Sequence, residues 1–239
     1  MTVFWRLILA HLLADFTCQT DFINHWKRKS VAGLLAHSLM HPAWTLLLAW
    51  PYLGQVWIRV LGTGLTGWAC ALIIFATHYL EDHWRVHSII KNGAPDSTLY
   101  FLWDQFFHLA VIFSVTPDGS FSSWAGWEGL FPQKWVALAC LFVLATHAST
   151  VWIYFIEKDL YGRPFPQFQE KYLSMLERLV LAVSCLAPGW TWVMAVVPFA
   201  AAMRWAHRRG LTAFSNMEFY LGGAAALAFG FTARMIYYS

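Results

Sequence analysis

Charge is what this sequence has least of: 12% of its 239 residues are Asp, Glu, Lys or Arg, against 59% hydrophobic. A soluble domain carries about twice that charge, so the composition excludes an ordinary water-soluble globule. Cysteine is scarce too. Cys18, Cys70, Cys140 and Cys185 stand singly, with no C-x-x-C spacing, which excludes a thiolate metal cage or a disulfide framework and leaves small apolar packers. The net charge of +3 is too small and too dispersed for nucleic-acid binding. No glycine-rich stretch leads into a P-loop Lys, so Gly62, Gly64, Gly67 and Gly222-Gly223 read as close helix packing. Linkers, low-complexity tracts and repeats are also missing, and residues 1–239 are treated as a single domain.

What the chain has instead is a succession of apolar runs of roughly 20 residues, long enough to cross a bilayer as helices. The fold class expected is all-α, a polytopic transmembrane bundle of about eight spans: 3–21, 33–52, 57–80, 99–116, 134–156, 172–187, 190–206 and 216–236. The first run, Phe4 to Phe16, has the look of a signal peptide, yet it contains His11 and Asp15 and no small-x-small cleavage site follows it, so it is kept as the first helix. Loops fall at Lys27-Arg28-Lys29, Asn92 to Pro95, Pro117 to Pro132, Gly162 to Pro166 and Pro188-Gly189. With eight spans, one face receives eleven of the sixteen basic residues, from Lys27 and Arg85 to Arg208 and Arg209. The positive-inside rule then puts that face in the cytoplasm and both termini outside, in a bacterial cytoplasmic (inner) membrane, with membrane lipids as neighbours. Trp and Tyr near the span ends, such as Trp50, Trp103, Trp190 and Tyr237, suit an interfacial aromatic belt.

Four segments repeat one polar arrangement: His11 with Asp15, His37 with His41, His78 with Asp82, and Asp104 with His108. Each pair is spaced i, i+4, so one helical turn sets both side chains on one face, the way helix bundles assemble metal sites. Alternating span directions put all eight at a similar depth near the cytoplasmic interface. Glu177, Arg178, Arg204 and Glu218 fall at that level in the later helices, with His147 and Glu157 approaching it. An ionised Asp near mid-membrane costs about 2.5–3.5 kcal/mol on insertion scales, a cost that a metal ion or ion pairs would offset. Taken singly, such pairs also serve to hydrogen-bond helices together. Asp and His ligands suit Zn first, with Mn or Fe as alternatives, over Cu(I).

Other polar residues carry less. Gln19, one turn past Asp15, is a candidate to orient a ligand, while Gln105 follows Asp104 onto a different face and reads as structural. His25, His83, His87 and His207 sit in charged loop regions as solvated histidines. Arg85 is either an anion contact or a topology signal.

At these positions the chain resembles an uncharacterised bacterial membrane family known as domain of unknown function 3307. The resemblance lies in His11-Leu-Leu-Ala-Asp15-Phe-Thr-Cys-Gln19, His78-Tyr-Leu-Glu-Asp82, Trp103-Asp104-Gln105-Phe-Phe-His108, Leu176-Glu177-Arg178 and Glu218-Phe-Tyr220-Leu-Gly222, nearly the whole chain. The family pattern carries Lys where this chain has Arg85. The resemblance implies a membrane protein with grouped polar residues and names no activity.

Three functions compete. An intramembrane metal-dependent hydrolase would use His11, Asp15, His37, His41, His78, Asp82, Asp104 and His108 as metal ligands or their partners, around two ions or around one with carboxylates left over. Asp15, Asp82 and Asp104 are its candidate catalytic carboxylates, with Arg85 as an anion contact. Gln19, Glu177, Arg178, Arg204 and Glu218 would stand behind them, and a lipid or lipid-linked ester or phosphate would be the substrate. A proton- or cation-coupled transporter predicts polar groups spread along the bilayer normal. A non-catalytic membrane partner protein predicts no metal. The reading leans to the hydrolase.

Overall fold

The computed structural model describes residues 2–117, 132–212 and 214–239. Among these the chain is helical except for one hairpin, and it divides into two compact units, Met1–Val136 and Ala137–Ser239. Most of the loop expected from Pro117 to Pro132 lies outside the described residues.

The first unit begins with α1 (Thr2–Leu12), which widens into a π turn over Leu13–Thr17. Two helices follow with almost no linker. Thr20 caps α2 (Asp21–Lys29) by accepting a hydrogen bond from Ile23 N, and Ser30 both ends α2 and caps α3 (Val31–Ala49) through Gly33 N. Each oxygen satisfies one of the orphan N–H groups of a first helical turn. A side chain on Gly33 has no room: a Cβ there would sit 2.4 Å from the Trp26 backbone. Pro42, inside α3 directly after His41, removes one helical hydrogen bond at that turn.

The hairpin comes next, as β1 (Val56–Val60) and β2 (Thr63–Thr66) in antiparallel pairing. Its two turn residues, Leu61 and Gly62, both have positive φ, 50° and 83°, the signature of a two-residue turn whose twist matches its strands. Then α4 (Gly67–Asn92) closes on left-handed Gly93, and α5 (Thr98–Val115) starts from Ser97. Helices α1, α3, α4 and α5 pack together. Their apolar layer contains Leu7, Cys70, Ile74, Ile112 and Val115, with Trp57 of the hairpin against it.

The units divide inside α6 (Gln133–Val143), which runs through a second π turn, Leu144–Ala148, into α7 (Ser149–Tyr161). The second unit adds α8 (Phe168–Ser184), α9 (Thr191–Arg208) and α10 (Asn216–Tyr238), with α10 packed on α8 and α7. Gly230 lets α10 approach α8 so closely that a Cβ would lie 2.9 Å from Ala182 Cα.

The expected count of eight spans is not supported. Among the described residues, four helical stretches are long and apolar enough to cross a membrane: Val31–Tyr52, Thr98–Val115, Gln133–Tyr161 and Asn216–Tyr238. The stretch expected over 57–80 is a hairpin followed by a helix that carries His78 near its middle and Glu81, Asp82 and Arg85 in its second half. The regions around 3–21, 172–187 and 190–206 form helices that fall short in length or apolarity. The glycine reading also changes: Gly62 makes the hairpin turn, Gly64 lies in β2, and Gly67 packs against Trp57 of the hairpin instead of another helix.

Candidate metal centre

The one-turn spacing seen in the sequence becomes a set of layers across α1, α3, α4 and α5. Leu7, Ile74 and Ile112, with Thr45 beside them, form a mostly apolar layer. One turn away stand the imidazoles of His11, His41, His78 and His108, whose ring centroids lie 3.5 Å (His41 to His78), 4.1 Å (His78 to His108) and 5.5 Å (His11 to His108) apart. A further turn brings Asp15, His37, Asp82 and Asp104. Between the first two layers lies a cavity of about 10 Å³, lined by all four imidazoles and by Leu7 and Ile74, with room for about one water molecule.

Donor atoms converge on one point near Asp15. Its Oδ1 lies 3.1 Å from His41 Nε2, 3.3 Å from His37 Nε2 and 3.6 Å from His78 Nε2, while His37 and His78 bring their Nε2 atoms within 3.3 Å of each other. An ion held at ~2.0 Å by four tetrahedral donors sets those donors about 3.3 Å apart. Hydrogen bonding alone accounts poorly for the same arrangement, because one carboxylate oxygen has too few lone pairs for three ring nitrogens and two facing Nε2 atoms share one proton at most. His37 Nδ1 is buried without a partner. The π turn contributes directly: it widens the backbone at Leu13–Thr17, where Asp15 enters the cluster.

Supporting contacts surround this point. Lys27 Nζ donates to Asp82 Oδ2 at 3.0 Å and to Oδ1 at 3.3 Å, and Asp82 Oδ2 lies 3.2 Å from His37 Nε2. Gln105 Nε2 reaches Asp15 Oδ2 at 3.4 Å and Asp104 Oδ2 at 2.9 Å, while its Oε1 meets His11 Nε2 at 3.1 Å. His11 stands behind Asp15, its Nδ1 3.7 Å from Oδ2. Arg85 donates through Nη1 to Asp104 at 2.9 Å and through Nη2 to Asp96 at 3.4 Å, and Arg28 pairs with Asp96 at 3.1 Å.

Seven of the eight expected ligands, Asp15, His37, His41, His78, Asp82, Asp104 and His108, fall in groups whose donor atoms lie within 4.8 Å of one another. Of the described residues in these groups, Glu81 is the one that sequence reasoning did not single out: it sits at i+3 from His78, a spacing with the same facing property as i+4. Lys27 looked like part of a topology cluster, and only its burial reveals its partner. Gln105, expected on a different face from Asp104, instead reaches the cluster from α5, facing Asp15 in the π turn. Gln19 is half-buried past that turn.

The later candidates find their described partners within the second unit. Arg178 Nη2 donates to Thr150 Oγ1 and Ser174 Oγ, each at 2.6 Å, and Glu218 Oε1 accepts from Ser174 Oγ at 2.7 Å. Gly222 makes room for this arginine, whose Cδ would lie 3.0 Å from a Cβ there. Glu177 is half-buried and Arg204 is exposed.

Residues 3–137 match the family described as Protein of unknown function (DUF3307). The chain belongs to this family. The DUF3307 match ends within one residue of the boundary of the first unit and contains every residue of the cluster. The segments Leu176-Glu177-Arg178 and Glu218 to Gly222, which contributed to the resemblance, lie beyond it. No curated protein and no solved structure compared with the chain matches it.

Proposed function

We propose that this DUF3307 protein is an intramembrane metal-dependent hydrolase whose ion is held by Asp15, His37, His41 and His78. The observation that carries the reading is the convergence of three Nε2 atoms on one Asp15 oxygen at 3.1 to 3.6 Å. Among the described residues Asp15 has no Lys or Arg ion pair, and its buried carboxylate faces four imidazoles, a donor set that a cation would complete. Three nitrogens and one oxygen suit Zn, with Mn or Fe as alternatives.

A bound divalent ion would supply Lewis-acid activation of water. The residues of the chain do the rest. His11 and Gln105 hold Asp15 in place, Lys27 fixes Asp82, and Arg85 positions Asp104. The cavity beside the imidazoles, on their apolar side, has room for one water-sized reactant. With four helices apolar enough to cross a membrane, the substrate we favour is a lipid or lipid-linked ester or phosphate met near the cytoplasmic interface of a cell membrane.

The test is elemental analysis of detergent-purified protein prepared without chelators, followed by hydrolysis assays on short-chain phospholipid and phosphate esters. About one equivalent or more of Zn, Mn or Fe in the wild type, lost in His37→Ala and Asp15→Ala with helicity retained, supports the centre. Hydrolysis that disappears in the same variants supports the reaction. A wild type that stays metal-free after Zn and Mn loading overturns the reading.

A further inference from the structure

Glu81, Asp104 and His108 form a second donor set beside the first. His108 Nε2 lies 3.2 Å from Glu81 Oε2 and 3.4 Å from Asp104 Oδ1. Despite those distances, His108 Nε2, Asp104 Oδ1 and both Glu81 oxygens are buried and make no hydrogen bond. Contact distance without hydrogen-bond direction means that these lone pairs are not satisfied by one another. Donor atoms of Glu81, Asp82, Asp104 and His108 all lie within 4.8 Å of each other.

The charge pairing points the same way. Lys27 engages Asp82, Arg85 engages Asp104, and Arg28 engages Asp96. Asp15 and Glu81 are the cluster carboxylates left without a Lys or Arg ion pair among the described residues, and each sits in a different donor set. Asp82 is common ground: its Oδ2 lies 3.2 Å from His37 of the first set, and it also belongs to the second.

We infer that Glu81, Asp104 and His108 hold a second divalent cation, with the Asp82 carboxylate bridging it to the first. The inference rests on the metal reading of the first centre. The second set is rich in carboxylate oxygen, which favours Mn²⁺ or Fe²⁺ there over a metal that prefers nitrogen. Two cations joined by one carboxylate stand roughly 3.5–4 Å apart, a spacing that clamps both oxygens of a displacement at phosphorus or at an ester carbon. The substrate class that fits is therefore an anionic ester, a phosphate ester above all.

The experiment uses the full chain in detergent, loaded with Mn²⁺, gel-filtered, and read by elemental analysis and by electron paramagnetic resonance. About two equivalents in the wild type, falling to about one in His108→Ala and Glu81→Gln with helicity unchanged, is the expected result. An exchange-coupled Mn pair in the wild type that becomes an isolated-ion spectrum in either variant locates the two ions side by side, and the wild-type spectrum decides even if a variant fails to fold. One equivalent in the wild type, lost in His37→Ala but kept in His108→Ala, overturns the second site and leaves the first standing. Two equivalents with no coupling overturn the Asp82 bridge. No bound metal at all overturns both.

Discussion

Asp82 takes its charge into a place where 2% of its surface is exposed and relies on Lys27, itself 7% exposed, to neutralise it. Removing one partner of a buried pair typically costs about 3–5 kcal/mol because the other charge stays buried. Lys27→Met should therefore lower the stability of the metal-free protein by an amount of that order in detergent-based unfolding, and Asp82→Asn should recover much of it in the double variant. Unchanged single-variant stability would remove Lys27 from the cluster. Gln105 acts more gently: it holds Asp15, Asp104 and His11 at once. Gln105→Leu should weaken metal retention about 10–100-fold, as loss of a ligand-orienting contact does elsewhere, and titration against a competing chelator measures it. At this scale much was legible. The pairs from His11-Asp15 to Asp104-His108 announce themselves because one helical turn maps directly onto i, i+4. Glu81 escaped because it sits at i+3, and Lys27 because burial leaves no mark on a Lys-Arg-Lys run.

Helices α8 and α10 meet where Gly230 faces Ala182, and no Cβ fits there without displacing backbone. Gly230→Val should lower the thermal stability of the second unit, whereas Gly223→Ala, with open space around it, should leave stability unchanged or raise it by up to ~1 kcal/mol through helix propensity. Differential thermal unfolding of the two variants separates contact from propensity. Equal losses in both would deny a close contact at Gly230. The elements were less readable than the residues. The apolar stretch Val56-Trp57-Ile58-Arg59-Val60 has the hydropathy of a helix end, and the turn at Leu61-Gly62 lacks the Asn-Gly or Asp-Gly pair that would have announced a hairpin. The π turn at Leu13–Thr17 has no composition of its own, so the widening that admits Asp15 could not be foreseen.

At the scale of the molecule, nothing in composition changes near Val136, and the division into two units was invisible in the sequence. The shared-level argument grouped Arg178 and Glu218 with the histidines, but level along a membrane normal says nothing about lateral position. Their described contacts are with Thr150 and Ser174. The double variant Arg178→Met, Glu218→Gln should accordingly keep the full metal content of the wild type by elemental analysis, and a loss of ion would return these residues to the centre. With four candidate spans, the protein should also stay in the membrane fraction through an alkaline carbonate wash, which strips peripheral proteins.

The converging side chains of Asp15, His37, His41 and His78 are each at most 8% exposed. An ion placed among them has no open route back to solvent, and α1, α3 and α4 must part before it can leave. Uptake by the folded protein and later exchange are then both set by the frequency of that separation. Incubation with a strong chelator should strip the folded protein over hours, with a rate indifferent to chelator concentration.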